Sequence, residues 1–396
     1  MGLYRGAISI DFTPMRNFSP IGQIEIIAPE GSTGNSDAMP TLSSGGSMLR
    51  RRLISSLFLL VLAHTACAPA APSVSNTPPA GQASIGGKLV VYSGRSEPLI
   101  RPVIDAFKAQ YPRIEVLLKA GSNSELANAL IEERANPQAD LFITTELFTV
   151  QSLAQQGVFK SYRPAGADRL PAGSIGPDDR WVGLSLRARV IMYNTDLVAN
   201  AELPKSIFDL TDPKWKGRIA AAGSTNGSTQ AQIATMRQLL GDPETEKWLR
   251  GLLANKVTFF GGHTDVRKAV GTGEFALGLV NHYYYFLQVA EGSKVGIIYP
   301  DQGEGQVGLI TNATAAAVVK GAPNATAAQA LMDFLVSQQG QELFAAQNYE
   351  HPLLPGVALR QGVQPLDAFR LAKVDVASVA RETDATFRLI EKVGLP

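Results

Sequence analysis

The chain predicts an α/β protein of two lobes, and three observations carry that expectation. Short apolar runs alternate with helical stretches through residues 88–144, a pattern that builds a mostly parallel sheet. A second alternation of the same kind runs through residues 217–280. Two extended segments, 181–194 and 308–319, are suited to cross between the two units. At 396 residues the chain is also too long for one compact core.

Residues 88–92 (Lys-Leu-Val-Val-Tyr) form a short apolar run ending in Ser-Gly, as a buried parallel strand and its exit loop would. Helical spacing of Ile100, Val103, Ile104 and Phe107 follows, closed by Pro112. Residues 114–118 read as the next strand. A helix over 124–135, with Ser122 or Asn123 as its cap, leads to a third strand at 140–144. In the second unit, residues 264–275 read as a helix and 276–280 as a strand, and helices complete the chain from Ala325 onward. Ligands of such sheets sit beyond the carboxyl ends of the strands. The loops after Tyr92, Ile143 and Val280 are therefore where a site belongs. No internal repeat is evident.

Composition narrows the function. Hydrophobic residues make up 45% and charged residues 18%, with a net charge of +1. That is an ordinary globular balance, with no basic field to hold nucleic acid. No stretch after residue 70 approaches the ~20 apolar residues of a membrane span. Earlier, Met48-Leu49-Arg50-Arg51-Arg52 and the apolar run 53–62 have the order and lengths of an export signal. Cys67, the single cysteine, follows Ala63-His64-Thr65-Ala66 and precedes a tether rich in Pro, Ala, Ser and Gly. It resembles the lipid-modified cysteine of a bacterial lipoprotein, although His64 replaces the usual aliphatic residue. Simple secretion is the alternative. Met48 is the expected start, with 1–47 a non-native extension, 48–66 the signal, and 67–87 the anchor and tether. Lobe 1 then begins at 88–186, lobe 2 spans 187–309, and 310–396 returns mainly to lobe 1. Without residues 1–66 the chain carries 31 residues of each charge and is formally neutral.

The most informative local feature is Tyr283-Tyr284, within Asn281-His282-Tyr283-Tyr284-Tyr285-Phe286. An ordinary tyrosine has a pKa near ~10, but a small, highly charged cation displaces the phenol proton and gains a hard anionic donor. Ferric iron suits such donors better than zinc or copper, which favour imidazole and thiolate. A half-buried aromatic run is the competing reading. On a strand, adjacent side chains point to opposite faces; both phenols can face one ion only if the chain turns there. His282 is read as packing or hydrogen-bonding. His263 sits before a helix, and lining the cleft is the lesser reading of it, since Thr264 as a helix cap accounts for the segment.

Together and in order, several segments resemble the ferric-iron substrate-binding proteins of bacterial ABC importers. They are Val91-Tyr92-Ser93-Gly94-Arg95, Ala139-Asp140-Leu141-Phe142, Trp181-Val182-Gly183-Leu184-Ser185, Ala188-Arg189-Val190, Tyr193-Asn194, Ser224-Thr225-Asn226-Gly227-Ser228, Asn281 through Tyr284, and Tyr349-Glu350-His351-Pro352-Leu353. The resemblance covers nearly all of residues 87–396. It implies a type II periplasmic-binding fold whose lobes close on the ion, with Tyr283 and Tyr284 binding ferric iron as phenolates. It further implies a permease and its ATPase as partners, and a monomer outside the cytoplasm whose only membrane contact is a lipid anchor.

The remaining ligands map less directly. Where some members carry a histidine, this chain has Ser96, followed by Glu97. The usual carboxylate after the third strand corresponds to Glu146, in a register that leaves Thr145 open. Where certain members have a third tyrosine, Thr229 stands. Two phenolates leave ferric iron at a formal +1 with a preference for about six hard donors, so carbonate, phosphate or citrate would complete the shell. Arg95 resembles the arginine some members use for carbonate, and its planar fork matches an oxyanion. Asn226, Gly227 and Ser228 precede a helical stretch whose first N–H groups can bind an anion. Asn281 adds a further donor.

Two other functions compete. The same fold could bind a small organic anion such as a phosphonate or carboxylate without metal, the tyrosines serving as an aromatic wall. An enzyme is the third possibility. The sequence shows no Cys/His dyad, Ser/His/Asp order, zinc spacing or phosphate loop, and it holds four histidines in all.

Overall fold

The computed structural model describes residues 84–396. The expected extension, the signal, Cys67 and most of the tether lie outside the described residues. Strands β1 (Gly87–Ser93), β2 (Ile114–Ala120) and β3 (Leu141–Thr144) alternate with helices α1 (Glu97–Gln110), α2 (Asn123–Glu132) and α3 (Leu147–Gln155). A long strand, β4 (Val182–Asn194), leads to β5 (Ile219–Ala222), α4 (Gly227–Ala254), β6 (Thr258–Phe260) and α5 (His263–Gly271). Next come β7 (Leu277–Asn281), α6 (His282–Ala290), β8 (Val295–Ile298) and the return strand β9 (Thr311–Val318). The chain continues through α7 (Ala325–Val336), α8 (Gln338–Asn348), β10 (His351–Pro352), α9 (Val376–Arg381) and α10 (Thr383–Val393).

The strands join in the order β2-β1-β3-β9-β4-β7-β5-β6, with β8 and β10 also paired to β4. Each lobe holds a parallel trio, β2-β1-β3 in the first and β6-β5-β7 in the second. The crossing strands run antiparallel to their neighbours. Residues Val182 to Ala188 of β4 pair with β9, and Arg189 to Asn194 pair with β7 and β8. One strand thus belongs to both lobes.

Alternation along β1 sends Leu89 and Val91 to one face and Tyr92 to the other. Ile100, Val103, Ile104 and Phe107 of α1 cover the first face, as their helical spacing requires. Two further apolar clusters cover the faces of the second trio. Helices α7 and α8 return to the first lobe, but α10 packs along α4, with Leu389, Ile390 and Val393 in a second-lobe cluster. Helix α9 packs on α3. Residues 310–396 thus contribute α7 and α8 to the first lobe and α10 to the packing around α4.

Candidate functional site

The loops after β1, β3, β5 and β7, with residues that follow β2 and β6, converge on one cavity of about 300 Å³ between the lobes. After β1, Gly94 passes so close to α2 that a Cβ would stand 1.7 Å from Asn123 Oδ1, so this turn requires glycine. Arg95 and Ser96 then line the cavity. After β3, Thr145 lines it, while Glu146 is fully buried behind the wall. Glu146 caps α3, accepting from Thr149 N–H at 2.9 Å, the Thr144 hydroxyl at 3.2 Å and Asn123 Nδ2 at 3.3 Å. Burial pushes its carboxyl up to about 7 against the pull of those hydrogen bonds.

After β5, Asn226 caps α4 by accepting from Ser228 N–H at 3.0 Å and Thr229 N–H at 3.4 Å. Asn226, Gly227 and Ser228 all line the cavity. Thr229 does not; its hydroxyl donates to Ala222 O. After β7 the strand passes directly into α6, so the chain turns at the tyrosine pair. Tyr283 and Tyr284 occupy the first turn of that helix and both line the cavity, with ring centroids 4.2 Å apart and planes 32° apart. The pair is buried, and burial with the neighbouring Tyr284 raises the Tyr283 phenol well above its ordinary value, against the pull of Arg95 and Arg187. Asn281 lies behind the wall, donating to Ser228 Oγ at 3.0 Å and accepting from Arg189 Nη1 at 3.2 Å.

His263 lines the cavity, and its Nε2 lies 3.1 Å from Arg189 Nη1. Thr264 is not the expected cap: α5 starts one residue earlier, after Gly262. His282 accepts from Ala188 N–H through Nδ1 at 3.1 Å, so its Nε2–H donates to Tyr349 O at 2.8 Å. Both nitrogens are used structurally. Among the described residues no group of three or more His, Cys, Asp or Glu is placed to hold a metal ion. Among the side chains lining this cavity, the phenols of Tyr283 and Tyr284 are the ones that can become anionic oxygen donors.

Beyond Arg95, sequence reading missed the charge of the site. Arg187 and Arg189 are each 1% exposed, and Arg95 2%. Glu350, also buried, pairs with Arg95 Nη2 and accepts from the Ser185 hydroxyl. Burial lowers Arg95, but the attraction of Glu350 outweighs it and leaves the group raised. Arg187 lines the cavity and donates to Thr145 O; burial holds its pKa down despite Glu350. Burial likewise brings Arg189 down to about 9. Nε of Arg95, Nε of Arg187 and Nη2 of Arg189 are buried without protein partners. Arg95 and Arg187 thus share one carboxylate, and Arg189 adds a third guanidinium that Arg187 repels, a surplus of positive charge that an anionic ligand would compensate. The signal was present: two arginines at i and i+2 of an apolar strand share a face, and buried arginines are rare unless paired.

Fold and site define an extracytoplasmic type of ligand-binding protein with two αβ lobes, the type II periplasmic-binding fold. Residues 136–372 match the bacterial extracellular solute-binding protein family, and the chain belongs to it. Among its relatives, iron uptake protein A2 of Synechocystis sp. is 31% identical over 77% of this chain and 89% of its own length. The crystal structure of iron-bound HitA from Pseudomonas aeruginosa matches with a TM-score of 0.72 and 28% identity, over 78% of this chain and 99% of that one. Trichodesmium IdiA (FutA) in complex with iron and citrate ligands matches with a TM-score of 0.64 and 29% identity, over 78% of this chain and 100% of the other. A more distant relative, the putative 2-aminoethylphosphonate-binding periplasmic protein of Salmonella typhi, is 22% identical over 62% of this chain and 70% of its own length.

Proposed function

We propose that this protein captures ferric iron between its lobes and delivers it to the permease of an ABC importer, which its ATPase drives. The observation that carries this reading is the pair of neighbouring phenols in the first turn of α6, on the wall of a cavity that also bears Arg95 and Arg187. As phenolates, Tyr283 and Tyr284 bind the ion. The surplus of guanidinium charge calls for an anion of several negative charges beside it, and citrate, carbonate and phosphate all qualify. Arg95, Ser96, Asn226, Gly227 and Ser228 hold that anion, and Asn281 acts by positioning Ser228 and Arg189. Glu146 stays out of the metal shell in this reading, since its oxygens serve α3, Thr144 and Asn123. No bond is made or broken in the cargo; binding and lobe closure are the mechanism. The protein works as an exported monomer, tethered to the membrane by a lipid on Cys67.

A second reading, a small organic anion such as a phosphonate or carboxylate bound without metal, draws on the same buried arginines and on the phosphonate-binding relative. Visible absorption during titration with ferric citrate in bicarbonate buffer separates the two. The ferric reading requires a phenolate-to-iron charge-transfer band that Tyr283→Phe and Tyr284→Phe each abolish or greatly weaken. A colourless protein that keeps no iron after desalting would transfer the assignment to the organic anion.

A further inference from the structure

Behind the ligand cavity lies a second chamber of about 210 Å³, and it has a different chemistry. Thr145 and Gly227, just before α3 and at the start of α4, wall the first cavity; Phe148 and Ala231, about one turn further along, wall the second. Arg187 and Asn312 are directly opposed in the β4–β9 ladder, so both project to the same face of the crossing strands. Arg187 lines the first cavity and Asn312 the second. The strap leading into α9 completes the wall through Val374, and α9 itself through Val379. None of the residues lining this chamber is charged.

Its one amide is Asn312, and both the Nδ2 and Oδ1 atoms of that side chain are buried without a protein partner. A buried amide left unpaired is destabilising, so this one is poised for a group that presents a donor and an acceptor side by side. We propose that the chamber is a binding site for a small, neutral, mainly apolar molecule carrying a primary carboxamide. Its apolar body packs against Phe148, Ala231 and Val379, and its amide pairs with Asn312. A charged analogue is disfavoured, because no side chain of this lining carries a charge and Arg187, opposed to Asn312 in the ladder, is turned to the first cavity and donates to Thr145 O. A molecule seated there touches α3 of the first lobe and α4 of the second. It therefore stabilises the arrangement in which the lobes meet, by mass action.

The test is saturation-transfer NMR on the whole chain with benzamide, and with benzoate as the charged control, each alone and in the presence of ferric citrate. The site requires saturable benzamide binding, at least tenfold weaker benzoate binding, and no displacement by ferric citrate. Asn312→Leu should weaken benzamide at least tenfold, and Ala231→Phe should abolish its binding by filling the chamber. Wild-type circular dichroism checks the fold of both. Absent saturation, displacement by ferric citrate, or equal binding to wild type and the Asn312→Leu protein would each overturn the assignment. None of these outcomes depends on whether the first cavity takes iron.

Discussion

Arg95 and Glu350, 255 positions apart in the chain, form an ion pair whose side chains are 1% and 0% exposed. The pair ties the loop after β1 to the segment between α8 and β10, and it sits beside the phenols. Around it, Thr314 accepts from Arg95 Nη1 at 3.0 Å and Ser185 donates to Glu350. The one neutralised guanidinium of the cluster is thus also the one that lies nearest the start of the chain.

Removing one member of this pair should be costly. Glu350→Ala leaves Arg95 as an uncompensated buried charge, with an expected loss of about 3–5 kcal/mol. Urea denaturation reads it as a lower midpoint at unchanged slope. The double variant Arg95→Met, Glu350→Ala should recover most of that loss. Equal losses in the single and double variants would show that the two residues are not coupled.

Iron affinity should fall with acid. The Tyr283 phenol is held well above its ordinary value by burial, so it is protonated at neutral pH and must release its proton on ligation. Competition with citrate between pH 5 and 7, corrected for citrate protonation, should show weaker binding at the acid end. Tyr283→Phe should reduce the slope of log affinity against pH by about one. An unchanged slope would remove Tyr283 from the shell.

Glu146 carries a pH signature of its own. Its folded pKa of about 7 lies above the ordinary 4.5, so the folded chain binds the proton more tightly than the unfolded one. Its contribution is fully present below about 4.5 and is lost as pH rises through 7, by about 3 kcal/mol in all. Glu146→Gln should flatten that part of the curve of melting temperature against pH. The two proteins should converge at pH 4 and diverge at pH 8, with the glutamine variant the more stable.

Lobe contact can be opposed without unfolding either lobe. A Cβ on Gly227 would stand 2.3 Å from Asn123 Nδ2 and 3.1 Å from Thr145 Oγ1 of the first lobe. Overpacking of this kind costs about 1–3 kcal/mol, so Gly227→Ala should weaken ferric citrate binding roughly tenfold. The melting temperature without ligand should move little. A large fall in melting temperature with intact affinity would place Gly227 in the core of the fold instead.

Much of the scaffold could be read because its signals are local. The apolar runs at β1, β2 and β3, and the spacing of Ile100, Val103, Ile104 and Phe107, follow from strand and helix periodicity alone. The tyrosine pair was visible for a similar reason, as two hard donors adjacent in sequence. What could not be read was the turn between Asn281 and His282 that brings both rings to one cavity, since a strand and a helix start look alike over so few residues. Glu146 illustrates the opposite case. Its position after β3 is legible, but whether its oxygens point at the cavity or cap a helix depends on which residue starts α3.

The sequence by itself determined the alternation of strands and helices, the two crossings and the candidate phenols, because each is encoded within a dozen neighbouring residues. Only the tertiary structure decided the electrostatics of the site. Arg95, Arg187, Arg189 and Glu350 come from three separate segments, and their charges matter because folding strips them of water together. Burial and pairing are properties of groups brought close by the fold, so no local pattern can carry them.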